Sequence, residues 1–121
     1  MPFPHERLTV YQTSLGFLIL ASDVVEHLPR GRSHIADQLT RASTSIVLNI
    51  AEVAGKFSRP DKRRYYLTAL GSATECAATF DVCLRLKLIT ERRHQEGKSM
   101  LEEVGKMLTA LARSMEGKGE E

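Results

Sequence analysis

Glu91-Arg92-Arg93-His94 sets a carboxylate and an imidazole three residues apart. On a helix this E-x-x-H spacing is the one that di-iron carboxylate bundles use, but such sites need a second copy and two further inward Glu residues. No second E-x-x-H occurs in the chain. His5, His27, His34 and His94 form no H-x-x-x-H pair, and no nucleophile elbow, phosphate loop or dinucleotide glycine pattern is present. Cys76 and Cys83 lie seven apart on what reads as one helix, so their Cα atoms stand ~10 Å apart, beyond disulfide reach. They read as two small apolar residues of the core or its flank. Glu52 and Glu75 could face each other across two helices, with Arg41 beside them, as an enzyme-like site. With Arg41 and Arg64 near, charge pairing is the expected role of both carboxylates. The expectation is no enzyme, no cofactor and no metal.

Two other groups of polar residues carry more information. Gln38, Ser45 and Glu52 recur every seven residues and stack on one line of a helix, flanked by Arg41 and Asn49. A companion set, Arg64, Thr68, Gly71, Ser72 and Glu75, lies on the next helix. Asn49 falls at a seam position, where a polar group costs stability unless it is paired. The expected role of Gln38, Arg41, Ser45, Asn49, Glu52, Ser72 and Glu75 is a hydrogen-bonded network that fixes register between helices, with a polar subunit interface as the alternative. The second group is basic. Residues 30–64 hold eight Lys or Arg against three Asp or Glu, although the whole chain is only +2. Lys56, Arg59, Lys62, Arg63 and Arg64 are the dense part, and Arg30 and Arg32 stand apart from them. These seven are the candidate phosphate contacts. Phe57, Tyr65 and Tyr66 are the aromatic neighbours, too few for stacking to dominate.

Four helices must position these groups. The first should run from His5 to His27 on a seam of Leu8, Tyr11, Leu15, Leu18, Ser22 and Val25. Pro29 and Gly31 break it. The second should run from Ser33, its expected N-cap, to Lys56, on Ile35, Leu39, Ala42, Ile46, Asn49 and Val53. Ser58-Arg59-Pro60-Asp61 is a start signal for the third, which should end near Lys87 on a seam of Tyr66, Leu70, Ala73, Ala77, Phe80 and Leu84. Thr90 should cap the fourth, whose seam is Gly97, Leu101, Val104, Leu108, Leu111 and Met115. Four amphipathic helices with short connections predict an all-α, antiparallel up-down-up-down four-helix bundle. Residues 1–115 form the expected single domain and 116–121 a frayed polar tail. With this topology in mind, the cluster at 56–64 is expected at one end, and Arg7, Arg113 and the Arg30–Arg32 loop at the other.

The chain has 121 residues, 42% hydrophobic and 26% charged, as an ordinary globular domain does. The N-terminus lacks a signal-peptide pattern, and the longest uncharged apolar stretch, residues 8–22, is too short and polar to span a bilayer. The expected location is cytoplasmic.

Residues 38–52, Q-L-T-R-A-S-T-S-I-V-L-N-I-A-E, resemble Q-x-x-R-A-x-x-S-x-x-x-N-I-A-E, the hallmark of the bacterial four-helix-bundle family encoded by intervening sequences of 23S rRNA genes. Ser58, Tyr65-Tyr66-Leu67, Ala69-Leu70-Gly71-Ser72 and Glu75-Cys76 are similar to its second block. The glycine that follows N-I-A-E in many members is displaced here by two positions, to Gly55. That family is also similar to the accessory variability determinant of diversity-generating retroelements. The resemblance implies a homopentameric ring without established enzymatic activity. For the retroelement relatives it implies a basic surface that engages nucleic acid, RNA or DNA, and a reverse-transcriptase partner.

The functional expectation is a non-enzymatic homo-oligomer that binds nucleic acid through phosphates. The alternatives are a protein-interaction scaffold without nucleic-acid affinity, or an enzyme with a Glu52/Glu75/Arg41 site. Self-association is also argued from Phe17, Ile19, Val24, Val47, Leu48, Ile50, Leu67, Val82 and Leu86, apolar residues outside the four seams. Phe17 and Val47 are expected to point outward, with the first helix and the second or third as the contact surface.

Overall fold

The computed structural model describes residues 3–117. The expected first helix is two elements. Pro4–Arg7 forms a short 3-10 turn, closed by the Glu6 carboxylate accepting from the Phe3 N–H at 2.7 Å, and Leu8 is extended. Helix α1, Thr9–Glu26, follows. Helices α2 (Ser33–Val53), α3 (Arg59–Arg85) and α4 (Glu91–Ser114) complete the fold, and no strand occurs among the described residues. No helix among them is long and apolar enough to cross a membrane.

The caps explain the boundaries. Ser58 Oγ accepts from the Asp61 N–H at 3.2 Å and Thr90 Oγ1 from the Arg93 N–H at 3.1 Å, each satisfying a donor that the first turn leaves open. Ser33 is not a cap. Arg32 occupies that position without a side-chain bond, and Ser33 is already helical. Helix α2 stops at Val53, three residues before the expected end. The expected frayed tail begins with Glu116, which instead reaches Arg63 at 3.2 Å. Its residues 118–121 lie outside the described residues.

Each helix packs against two others, α1 on α2 and α4, and α3 on α2 and α4. Ser45 meets Ser72, and Gln38 meets Glu75, so α2 and α3 run antiparallel. Arg63 meets Glu116 while Asp81 meets Lys98, so α3 and α4 do too. Arg93 reaches Asp23 at 2.8 Å and joins the start of α4 to the end of α1.

The core corrects several seams. In α1 the buried line is Val10, Ser14, Phe17, Ala21 and Val24, one residue off the expected one. Phe17 is 0% exposed and Val47 6%, so neither points outward. Val24 and Ile50 are buried too. In α2, Ile50 takes the seam position expected of Asn49, which is half-buried. In α3, Ala69, Cys76 and Cys83 are buried where Leu70, Ala77 and Leu84 were expected. The three buried polar residues among those described, Ser14, Ser43 and Thr79, each donate to a carbonyl of their own helix, at 2.8, 3.2 and 2.8 Å.

Candidate functional site

The polar line of α2 becomes one half of an α2–α3 network. Ser72 Oγ donates to Ser45 Oγ at 2.8 Å, and Asn49 Nδ2 donates to the same Ser45 at 3.0 Å and to its carbonyl at 2.9 Å. Gln38 Nε2 donates to the Glu75 carboxylate, and Arg41 donates to Gln38 Oε1 at 2.9 Å. Six of the seven expected members therefore fall into two separate bonded clusters, Asn49–Ser45–Ser72 and Arg41–Gln38–Glu75, each crossing from α2 to α3. Asn49 hydrogen-bonds within its own helix and is linked to α3 through Ser45.

Glu52 is the exception. It is exposed and lies two turns past Ser45, while Glu75 lies almost one turn past Ser72 in the opposite direction. The two carboxylates are thus about 15 Å apart along the bundle axis. The antiparallel register separates the pair, and a Glu52/Glu75/Arg41 site is not assembled.

The E-x-x-H of α4 is likewise divided. His94 bonds Asp81 of α3 at 2.8 Å, where Lys98 also binds, and Arg93 turns to Asp23. Hydrogen bonds from Lys98, then from His94, hold the Asp81 carboxyl below the usual carboxylate range. Among the described residues no three potential metal ligands converge. Cys76 and Cys83 are fully buried, and burial pushes the Cys76 thiol up to about 12 and raises Cys83 as well. Both are core residues with little thiolate at neutral pH.

The basic cluster occupies the turn between α2 and α3 and the first turns of α3. Arg64 bonds Asp61 at 3.3 Å, and Arg63 bonds Glu116. Arg64 Cζ stands 4.6 Å from the Tyr65 ring centre and Lys56 Nζ stands 4.9 Å from it. No described carboxylate lies within ion-pair distance of Lys56, Arg59 or Lys62. The layout of the ends differs from expectation. Four antiparallel helices bring the start of α1 and the end of α4 to the same pole, so Arg7 and Arg113 stand with the 56–64 cluster. Arg30 and Arg32 are indeed at the opposite pole, beside the α3–α4 turn with Lys87 and Arg92. Both poles therefore carry basic residues, with Arg7 and Arg113 at the other one than expected.

The surface retains apolar side chains as well. Ile19, Leu48, Leu67, Val82 and Leu86 are exposed. Leu67, Gly71, Ala78 and Val82 fall on one outward line of α3, at steps of four, seven and four.

Comparison with known proteins agrees with this architecture. No functionally curated protein matches the sequence. The fold is similar to the crystal structure of a protein of unknown function from the S23 ribosomal protein family of Bacteroides thetaiotaomicron. The two share 24% identity and a TM-score of 0.80, over 86% of this chain and 98% of that one. A family model described as the 23S rRNA-intervening sequence protein matches residues 6–110. With the α2 hallmark, the α3 block and the bundle in agreement, the chain belongs to the 23S rRNA-intervening sequence protein family.

Proposed function

We propose that the protein is a non-catalytic, self-associating helical bundle that binds nucleic acid through the phosphates at its α2–α3 pole. The observation that carries this reading is the trio Lys56, Arg59 and Lys62, which no described carboxylate neutralises. Arg63, Arg7 and Arg113 enlarge the same pole. Phosphate contacts of this kind release counterions, so affinity falls steeply with salt and ignores sequence.

The self-association in this reading rests on apolar surface. Phe17, Val24, Val47 and Ile50 no longer argue for it, being buried in their own subunit. Leu67 and Val82, with Gly71 and Ala78 between them, leave an apolar line on α3 for a second copy to cover. A ring of five copies, as the sequence resemblance implies, multiplies a modest cluster into a high-avidity surface.

Fluorescence anisotropy with labelled RNA and DNA at ~50 and ~200 mM salt tests the binding. Binding at the lower salt, weakened at the higher and lost in a Lys56→Glu/Arg59→Glu/Lys62→Glu variant, is the expected result. No shift at low salt refutes it and leaves the scaffold reading. Light scattering tests the assembly: a mass several times the 13.5 kDa chain is expected, reduced by Leu67→Glu/Val82→Glu. A wild-type monomer refutes self-association.

A further inference from the structure

We infer that Phe57 is a stacking platform for an unpaired base, so that the α2–α3 pole prefers single-stranded nucleic acid to duplex. This deepens the phosphate-binding reading and rests on it.

Three aromatic rings belong to the cluster in sequence, and the structure gives each a different state. Tyr66 is buried in the core at 5% exposure. Tyr65 is engaged by Lys56 and Arg64. Phe57 is 99% exposed. It sits on the short irregular segment between Val53, the end of α2, and Ser58, the cap of α3. Its sequence neighbours include Lys56 on one side and Arg59 two residues on. A ring open to water and flanked by unneutralised cations matches a polymer that alternates planar bases with phosphates. Every base has a π-face, so stacking adds affinity without sequence preference. A duplex hides those faces inside its own stack and offers phosphate alone.

An anionic membrane is the competing partner for a ring among cations. Insertion there needs a contiguous apolar face. The exposed sequence neighbours of Phe57 are Ala54, Gly55, Ser58, Arg59, Pro60 and Asp61, of which only the small Ala54 and Pro60 are apolar.

The chain contains no Trp, so Phe57→Trp creates a single fluorescent reporter at this position. The probes are a mixed-sequence 20-nucleotide RNA, its duplex with the complement, inorganic polyphosphate, and vesicles rich in phosphatidylserine. The wild type is expected to bind the single strand severalfold more tightly than the duplex. Phe57→Ala is expected to lose about 5- to 100-fold in single-strand affinity with little change for duplex. Phe57→Trp is expected to retain affinity, with its emission quenched by the single strand and not by polyphosphate. Equal binding of single strand and duplex, unchanged by Phe57→Ala, overturns the inference and leaves phosphate binding intact. So does an emission change confined to vesicles. A lower solution mass for Phe57→Ala also overturns it, by assigning the ring to a subunit interface. If the wild type binds none of the polyanions, the phosphate reading fails and takes this one with it.

Discussion

The Phe80 ring of α3 lies against Gly97 of α4, where no larger residue fits. A Cβ built on Gly97 would stand 2.5 Å from Phe80 Cδ2 and closer still to Cε2. Phe80 cannot retreat, because it is fully buried and its ring centre is 5.3 Å from that of Phe17 across the bundle. In an open helix interior, Gly→Ala is worth up to ~1 kcal/mol of added stability. Here overpacking reverses the sign, and Gly97→Ala should destabilise by about 1–3 kcal/mol. Gly16→Ala, whose Cβ would meet nothing within 4 Å, is the control and should be neutral or stabilising. Urea melts of both variants check the pair. Equal midpoints would mean the Phe80 ring has room to move.

The Ser72–Ser45 bond is the one direct hydroxyl contact between α2 and α3 that the structure describes. A half-buried neutral bond of this kind contributes about 0.5–1.5 kcal/mol. A double-mutant cycle with Ser45→Ala and Ser72→Ala should give a coupling energy in that range. Asn49→Ala should couple to Ser45→Ala and not to Ser72→Ala beyond what Ser45 transmits, since Asn49 bonds only within α2. Additive effects for Ser45 and Ser72 would remove the bond as a determinant of register.

Much of this was legible from spacing, and the failures have physical causes. Ser58 and Thr90 were readable because a capping hydroxyl acts locally, three residues before its donor. The α1 seam was not. Leu15, Phe17, Leu18, Ile19 and Leu20 are apolar nearly all round the helix, so more than one line has helical spacing. The line through Phe17 wins because it leads to Phe80 on another helix, a contact that one helix cannot announce. Ser14 also disguised that line, being buried with its hydroxyl bonded to Tyr11 O. Heptad spacing grouped Glu52 with Ser45 correctly as to face. It carried no information on where α3 stops alongside, and so paired Glu52 with a carboxylate at another level.

Asp81 makes stability sensitive to acid. Its pKa is lower in the fold than in the unfolded chain, through Lys98 and then His94. Such a carboxylate contributes fully above the ordinary carboxylate value and loses that contribution as pH falls through the lowered one. The pair is half-exposed, so the expected effect is only ~0–1 kcal/mol. Asp81→Asn should therefore melt slightly below wild type at pH 7, and the two curves should converge as pH drops below ~4. A gap that persists at pH 2 would assign the loss to packing rather than charge.

Lys87 closes α3 in a conformation that suits glycine better. Its φ is +59°, in the left-handed region, where a Cβ crowds the following carbonyl. The closure itself is well made: Leu88 N donates to Cys83 O at 2.8 Å and Lys87 N to Leu84 O at 3.0 Å, the pair of hydrogen bonds that ends many helices at Gly. Gly31, at φ +88°, already supplies the permissive residue in the α1–α2 loop. Lys87→Gly relieves about 1–2 kcal/mol of left-handed strain. It also frees the unfolded chain, which offsets about 0.4–1 kcal/mol. The net expectation is a gain of about 0.5–1 kcal/mol, read as a higher urea midpoint at unchanged slope. Lys87→Ala loses the same charge and keeps the strain, so it should gain nothing. If Ala stabilises as much as Gly, relief of charge crowding with Arg85 and Arg92 at this basic end is the cause, and the backbone conformation is not.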